Sequence, residues 1–196
     1  GANSPILIRK AEVWRLITAA VLHVNFIISL EISQVPSSCC QDFNTHLELL
    51  IIVIYIISAI SGNIFSALCA PNGIKAGAST CLYGLLGVMV GYLIINWTGL
   101  NKIGPILKCQ LTCVVMMLII FTILFTSVGP NNIDYFGHLG GFLAGLWLSG
   151  INPTIDNENC ERNFRVIAIV MLIIQLTICF VLFYLLDSLF TASQLK

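Results

Sequence analysis

The sequence predicts an all-α fold, a polytopic bundle of six transmembrane helices forming one domain over 1–196. Three observations predict it. Hydrophobic residues fill 58% of the chain and charged residues only 9%, against about a quarter charged in an average soluble domain; the mean hydropathy is +0.96. Long apolar runs recur, and the connections between them are short and rich in helix breakers. A helix needs about 20 apolar residues to cross about 30 Å of hydrocarbon at 1.5 Å per residue.

The first expected span, 16–33, holds only His23 as an ionisable group between Arg15 and Glu31. The second (49–68), third (76–97), fourth (109–128) and sixth (166–186) are free of Asp, Glu, Lys and Arg. The fifth, 135–150, is shorter and glycine-rich, and carries His138. Breaker signals separate them: Pro36 with its serines, "APNG" at 70–73, "TGLNKIGP" at 98–105, "GPNN" at 129–132 and "INPTIDNEN" at 151–159.

Charge and cysteine usage narrow the partners. Nine basic residues balance nine acidic ones, so neither nucleic acid nor an anionic surface is expected; the lipid bilayer is. Cys69, Cys81, Cys109, Cys113 and Cys179 fall within or at the edges of apolar runs, where cysteine serves as a small hydrophobe, while Cys39, Cys40 and Cys160 are read as loop residues. No histidine and cysteine spacing suits a metal; no metal and no cofactor are expected. Basic residues divide five to four between the two sides, which leaves the orientation open.

Chemistry enters at "GASTCLYG", residues 77–84. A lone serine in an apolar helix is common, because it can bond back to its own backbone. An ionisable residue within a span is costly and points to a site with a partner. The third and fifth spans run in the same direction, so Ser79 and His138 both lie a few residues, about 5 Å, below the same surface. Small residues allow close approach: Gly137, Gly141 and Gly145 recur every four positions, as do Gly87 and Gly91. For most of these glycines packing alone is a sufficient reading. His138 would take the proton of Ser79, which would attack a peptide carbonyl. Tyr83, one turn after Ser79, would stack on the imidazole, and N–H groups at the helix start would face the oxyanion.

These residues resemble the rhomboid family of intramembrane serine proteases. The resemblance runs through "EVWRLIT" at 12–18, "LH" at 22–23, "SGNIFSAL" at 61–68, "GASTCLYGLLG" at 77–87 and "GHLGGFLAG" at 137–145. It implies Ser79 as nucleophile in the motif begun by Gly77, His138 as general base, and Tyr83 as the ring stacked on that base. Trp14 and Arg15 would match a pair in a loop lying partly in the membrane. The six spans would be the second to seventh of the family, the chain beginning after the first helix, and the site would open to the luminal or extracellular side.

Two departures stand out. Position 80 is threonine where the family motif ends in glycine, which is acceptable if the backbone there is not left-handed. The family's oxyanion histidine and asparagine, following the histidine matched by His23, fall on Ile28 and Ile32, which donate no hydrogen bond. Loss of one such donor costs on the order of 10²–10³ in rate; Asn25, one turn from Ile28, would substitute in part. The expected function is cleavage of transmembrane segments of other proteins, favouring helices that unwind easily. The alternative is a weak or non-catalytic relative that binds transmembrane helices. A transporter is disfavoured, because no paired charges or proline-broken helix pair occur in the spans.

Overall fold

The computed structural model describes residues 4–18, 41–70, 78–128, 134–151 and 158–194. His23, Asn25, Ile28, Ile32, Cys39, Cys40, Gly77 and most of the expected span 16–33 lie outside them. The described residues are helical and contain no strand. We name the helices α1 (Pro5–Arg9), α2 (Gln41–Cys69), α3 (Ala78–Ile95), α4 (Gly99–Ile103), α5 (Pro105–Val128), α6 (Tyr135–Ser149) and α7 (Glu158–Gln194). A further helical turn covers 15–18.

Among the described residues, two stretches are long and apolar enough to cross a bilayer, Leu49–Cys69 in α2 and Glu161–Leu185 in α7. Ser79–Ile95 and Lys108–Ile120 are shorter apolar helices. Two connections differ from the expectation. The stretch 98–105 is not all breaker: α4 forms inside it because Leu100 is buried, and the Gly104 N–H closes the turn on the Leu100 carbonyl at 3.1 Å. Cys160 is not a loop residue, because α7 begins at Glu158. An acidic start suits a helix N-terminus, and Glu161 bonds Arg165 one turn on at 2.8 Å.

Glycine brings α6 into the middle of the bundle, against α3 on one side and α2 on the other. A Cβ at Gly141 would collide with the Thr80 carbonyl, one at Gly145 with the Gly84 carbonyl, and one at Gly87 with the Phe142 carbonyl. At Gly91 it would meet the Ser149 hydroxyl. Gly84, which the four-residue spacing leaves unmarked, is equally tight against Ser58. Backbones this close gain dispersion contact that lipid cannot supply, which drives helix association where the hydrophobic effect between helices is absent.

The N-terminal segment is held by a second cluster. Ile8 and Leu16 pack with Ile64 and Ala67 of α2 and with Cys179 and Phe183 of α7. Asn63 Nδ2 donates to the Leu16 carbonyl at 2.7 Å, and the Arg9 guanidinium lies 5.3 Å from the Phe183 ring centre. Beyond these contacts α7 exposes Ile167, Ile174, Val181 and Leu185, an apolar surface suited to hydrocarbon.

Candidate active site

Ser79 is the second residue of α3 and His138 the fourth of α6. Both therefore stand in the first turn of their helices, and the glycine-mediated contact of α3 with α6 brings them together. The separation of Ser79 Oγ from His138 Nε2 is 2.8 Å, a hydrogen bond across 59 positions of sequence. His138 is buried and Ser79 half-buried. The Tyr83 ring lies on the imidazole with centres 4.0 Å apart and planes 9° apart. Such a stack holds a ring against rotation, so the nitrogen that meets Ser79 stays aimed.

Thr80 sits next to the serine without strain. It lies within α3, and Ala11 is the one described non-glycine residue with positive φ. Its side chain is fully buried against Gly62 and Gly137. A glycine is not required at 80, because the chain is already helical there. The N–H groups of Ala78 and Ser79 belong to the first turn of α3, where a helix supplies no acceptor four residues back.

Trp14 and Arg15 are placed in the N-terminal segment. Trp14 is exposed, and Arg15 Nε donates to Glu12 Oε2 at 2.6 Å. Leu16, directly after them, anchors the segment to α2 and α7.

Two sets of residues around the site carry no mark in the sequence reading. Asp134 is the N-cap of α6, and its Oδ1 accepts from the Gly137 N–H at 3.1 Å and from Ser66 Oγ at 2.7 Å. It lies one residue before the apolar run, where it looks like part of a turn. Its available signal was an aspartate opening a helix, the usual capping residue. Gln175 of α7 forms the other set: its Nε2 donates to Ser61 Oγ at 2.7 Å and to the Gly140 carbonyl at 3.0 Å, and its Oε1 accepts from Trp147 Nε1 at 3.0 Å. One amide thus joins α2, α6 and α7 beside the histidine helix. Among the described residues no group of three or more His, Cys, Asp or Glu gathers in a way that suits a metal ion.

Comparison with known proteins agrees with this architecture. The model of the rhomboid domain matches residues 10–152. RHOMBOID-like protein 7 of Arabidopsis thaliana is 33% identical over 148 residues, covering 72% of this chain and 44% of that protein. Rhomboid-like protease 2 of Toxoplasma gondii is 31% identical over 163 residues, covering 79% and 55%. Rhomboid-like protease 1 of the same organism is 34% identical over 149 residues, covering 74% and 49%. The chain belongs to the rhomboid family, whose members are intramembrane serine proteases and their non-catalytic relatives. Among the described residues two helices are long and apolar enough to cross a bilayer, and with the family this makes the chain an integral membrane protein. It spans about half the length of these curated relatives.

Proposed function

We propose that this chain is a single-domain, six-span intramembrane serine endopeptidase that cleaves transmembrane segments of other membrane proteins. The observation that carries this reading is the 2.8 Å contact of Ser79 Oγ with His138 Nε2. His138 takes the hydroxyl proton as Ser79 attacks the scissile carbonyl. The tetrahedral oxyanion is met by backbone N–H groups at the start of α3. His138 then gives the proton to the leaving amine, and the acyl-enzyme is released by water activated on the same imidazole.

The remaining expected residues take supporting roles in this proposal. Tyr83 orients the base, Gly77 begins the motif that carries Ser79, and Trp14 and Arg15 belong to the segment at the membrane surface. His23 and Asn25, outside the described residues, would belong to the first span, with Asn25 as a partial oxyanion donor. The other four spans would be α3, α5, α6 and the expected segment 16–33, in a bundle that admits water to the dyad from the luminal or extracellular side. The substrate helix must be extended at the cut, which favours segments with glycine or other weak helix formers.

The second reading, a non-catalytic relative that binds transmembrane helices, is favoured by Ile28 and Ile32 at positions where donors are expected. A fluorophosphonate probe separates the two. The purified protein should be labelled and should cleave a glycine-containing transmembrane substrate in proteoliposomes, and Ser79→Ala should do neither. A wild-type protein that is neither labelled nor active would establish the second reading instead.

A further inference from the structure

His138 occupies an electrostatically awkward place. It stands in the first turn of α6, where the aligned backbone dipoles amount to about half a positive charge. That end of a helix opposes the imidazolium that must form when the ring takes the proton of Ser79. Asp134 lies at the same end, 5% exposed, so solvent and salt screen it little. Both hydrogen bonds to its Oδ1, from Ser66 of α2 and from the Gly137 N–H, use the carboxylate as an acceptor. The Asp134 carbonyl accepts the His138 N–H at 3.0 Å, so the two residues move as one turn.

The same turn is packed against the nucleophile's helix. A Cβ at Gly137 would stand 2.5 Å from Asp134 Oδ2 and 2.8 Å from Thr80 Cγ2. Carboxylate, first turn of α6 and the residue after Ser79 are therefore stacked in one contact.

We infer that Asp134 is a positioning residue for His138: tied to α2 through Ser66, it seats the first turn of α6 against α3 and supplies the negative charge that supports the protonated imidazole. The role it plays in catalysis rests on the dyad reading above. Among the described residues, neighbouring groups offer no substitute. No other described side chain on α2, α3 or α6 is a carboxylate. From α3 the ring meets Ser79 and Tyr83, and Cys81 belongs instead to a buried cluster with Tyr55 of α2. Cys69 is exposed at the end of α2. α7 presents neutral Gln175 to α6, and its Cys179 packs in the other cluster. In the N-terminal segment Arg9 lies over Phe183 and Arg15 is paired with Glu12, near exposed Lys10.

The test uses the whole chain in bicelles with isotopically labelled histidine, the His138 signal being assigned by its loss in His138→Ala. Asp134→Asn keeps an acceptor for Ser66 and Gly137 but removes the charge; Ser66→Ala keeps the charge but removes the tie. The midpoint of the His138 titration should fall by roughly half to one pH unit in Asp134→Asn and stay in place in Ser66→Ala. The rate of fluorophosphonate labelling in Asp134→Asn should fall about tenfold, its acid limb moving to lower pH with the midpoint. Thermal unfolding of Asp134→Asn should stay near wild type, whereas Ser66→Ala, which leaves the buried carboxylate one donor short, should unfold at a lower temperature. An unchanged midpoint in Asp134→Asn, or an equal shift in Ser66→Ala, would overturn the inference. A shifted midpoint in a chain that no probe labels would uphold it while rejecting the protease reading.

Discussion

At 4.0 Å between ring centres, the Tyr83 stack is the contact that fixes which way the His138 imidazole faces. Phenylalanine keeps the ring and the stack. Tyr83→Phe should therefore retain most of the labelling rate, whereas Tyr83→Ala should lose about 10- to 100-fold in kcat with little change in KM, since misplacing a reacting group by about 1 Å costs that much. Single-turnover cleavage of a transmembrane substrate reads the difference. Equal loss in both variants would mean that the hydroxyl, not the stack, is what matters. Ser79 and Tyr83 were legible because they sit one turn apart in one apolar helix. Asp134 was not: an aspartate beside "GPNN" reads as turn chemistry, and nothing in the sequence shows that Ser66 of another helix will meet it.

The element that decides the site is the glycine face of α6. Its Gly141 and Gly145 sit against main-chain carbonyls of Thr80 and Gly84, which cannot rotate away as a side chain would. Gly145→Val should therefore push α6 off α3 and destabilise the fold by about 1–3 kcal/mol or more, with the dyad separated and labelling lost. Gly104 is the control: nothing lies within 4 Å of a Cβ there, and its φ of 168° is extended backbone. Gly104→Ala should unfold in detergent at the wild-type temperature. The four-residue spacing made the strip visible in sequence. It did not reveal Gly84, nor that Gln175 from α7 would bind the Gly140 carbonyl on the opposite face, because an isolated glutamine in an apolar run carries no sign of its partner.

At the scale of the whole molecule, the proposed six-span arrangement has α3 carry the chain from the Ser79 end to α4 and α5 return it to the side of the start of α6. A membrane crossed by both helices puts Tyr135 and Lys102 on opposite sides; both are exposed. In a chain with its eight cysteines replaced, Tyr135→Cys should react with an impermeant maleimide from the luminal or extracellular side. Lys102→Cys should react only after the membrane is opened with detergent. Labelling of both from one side would reject the six-span arrangement.

Composition and hydropathy alone determined that the chain is helical and suited to a bilayer, because a low-dielectric solvent leaves few other ways to satisfy a backbone. The spacing of glycines, together with a histidine where charge is costly, also singled out Ser79 and His138. The tertiary structure decided how they are held. The 2.8 Å contact, the ring stack, the Asp134 cap bound to Ser66 and the Gln175 bridge all join different helices. Their geometry depends on how closely backbones approach, and helical periodicity carries no information about that.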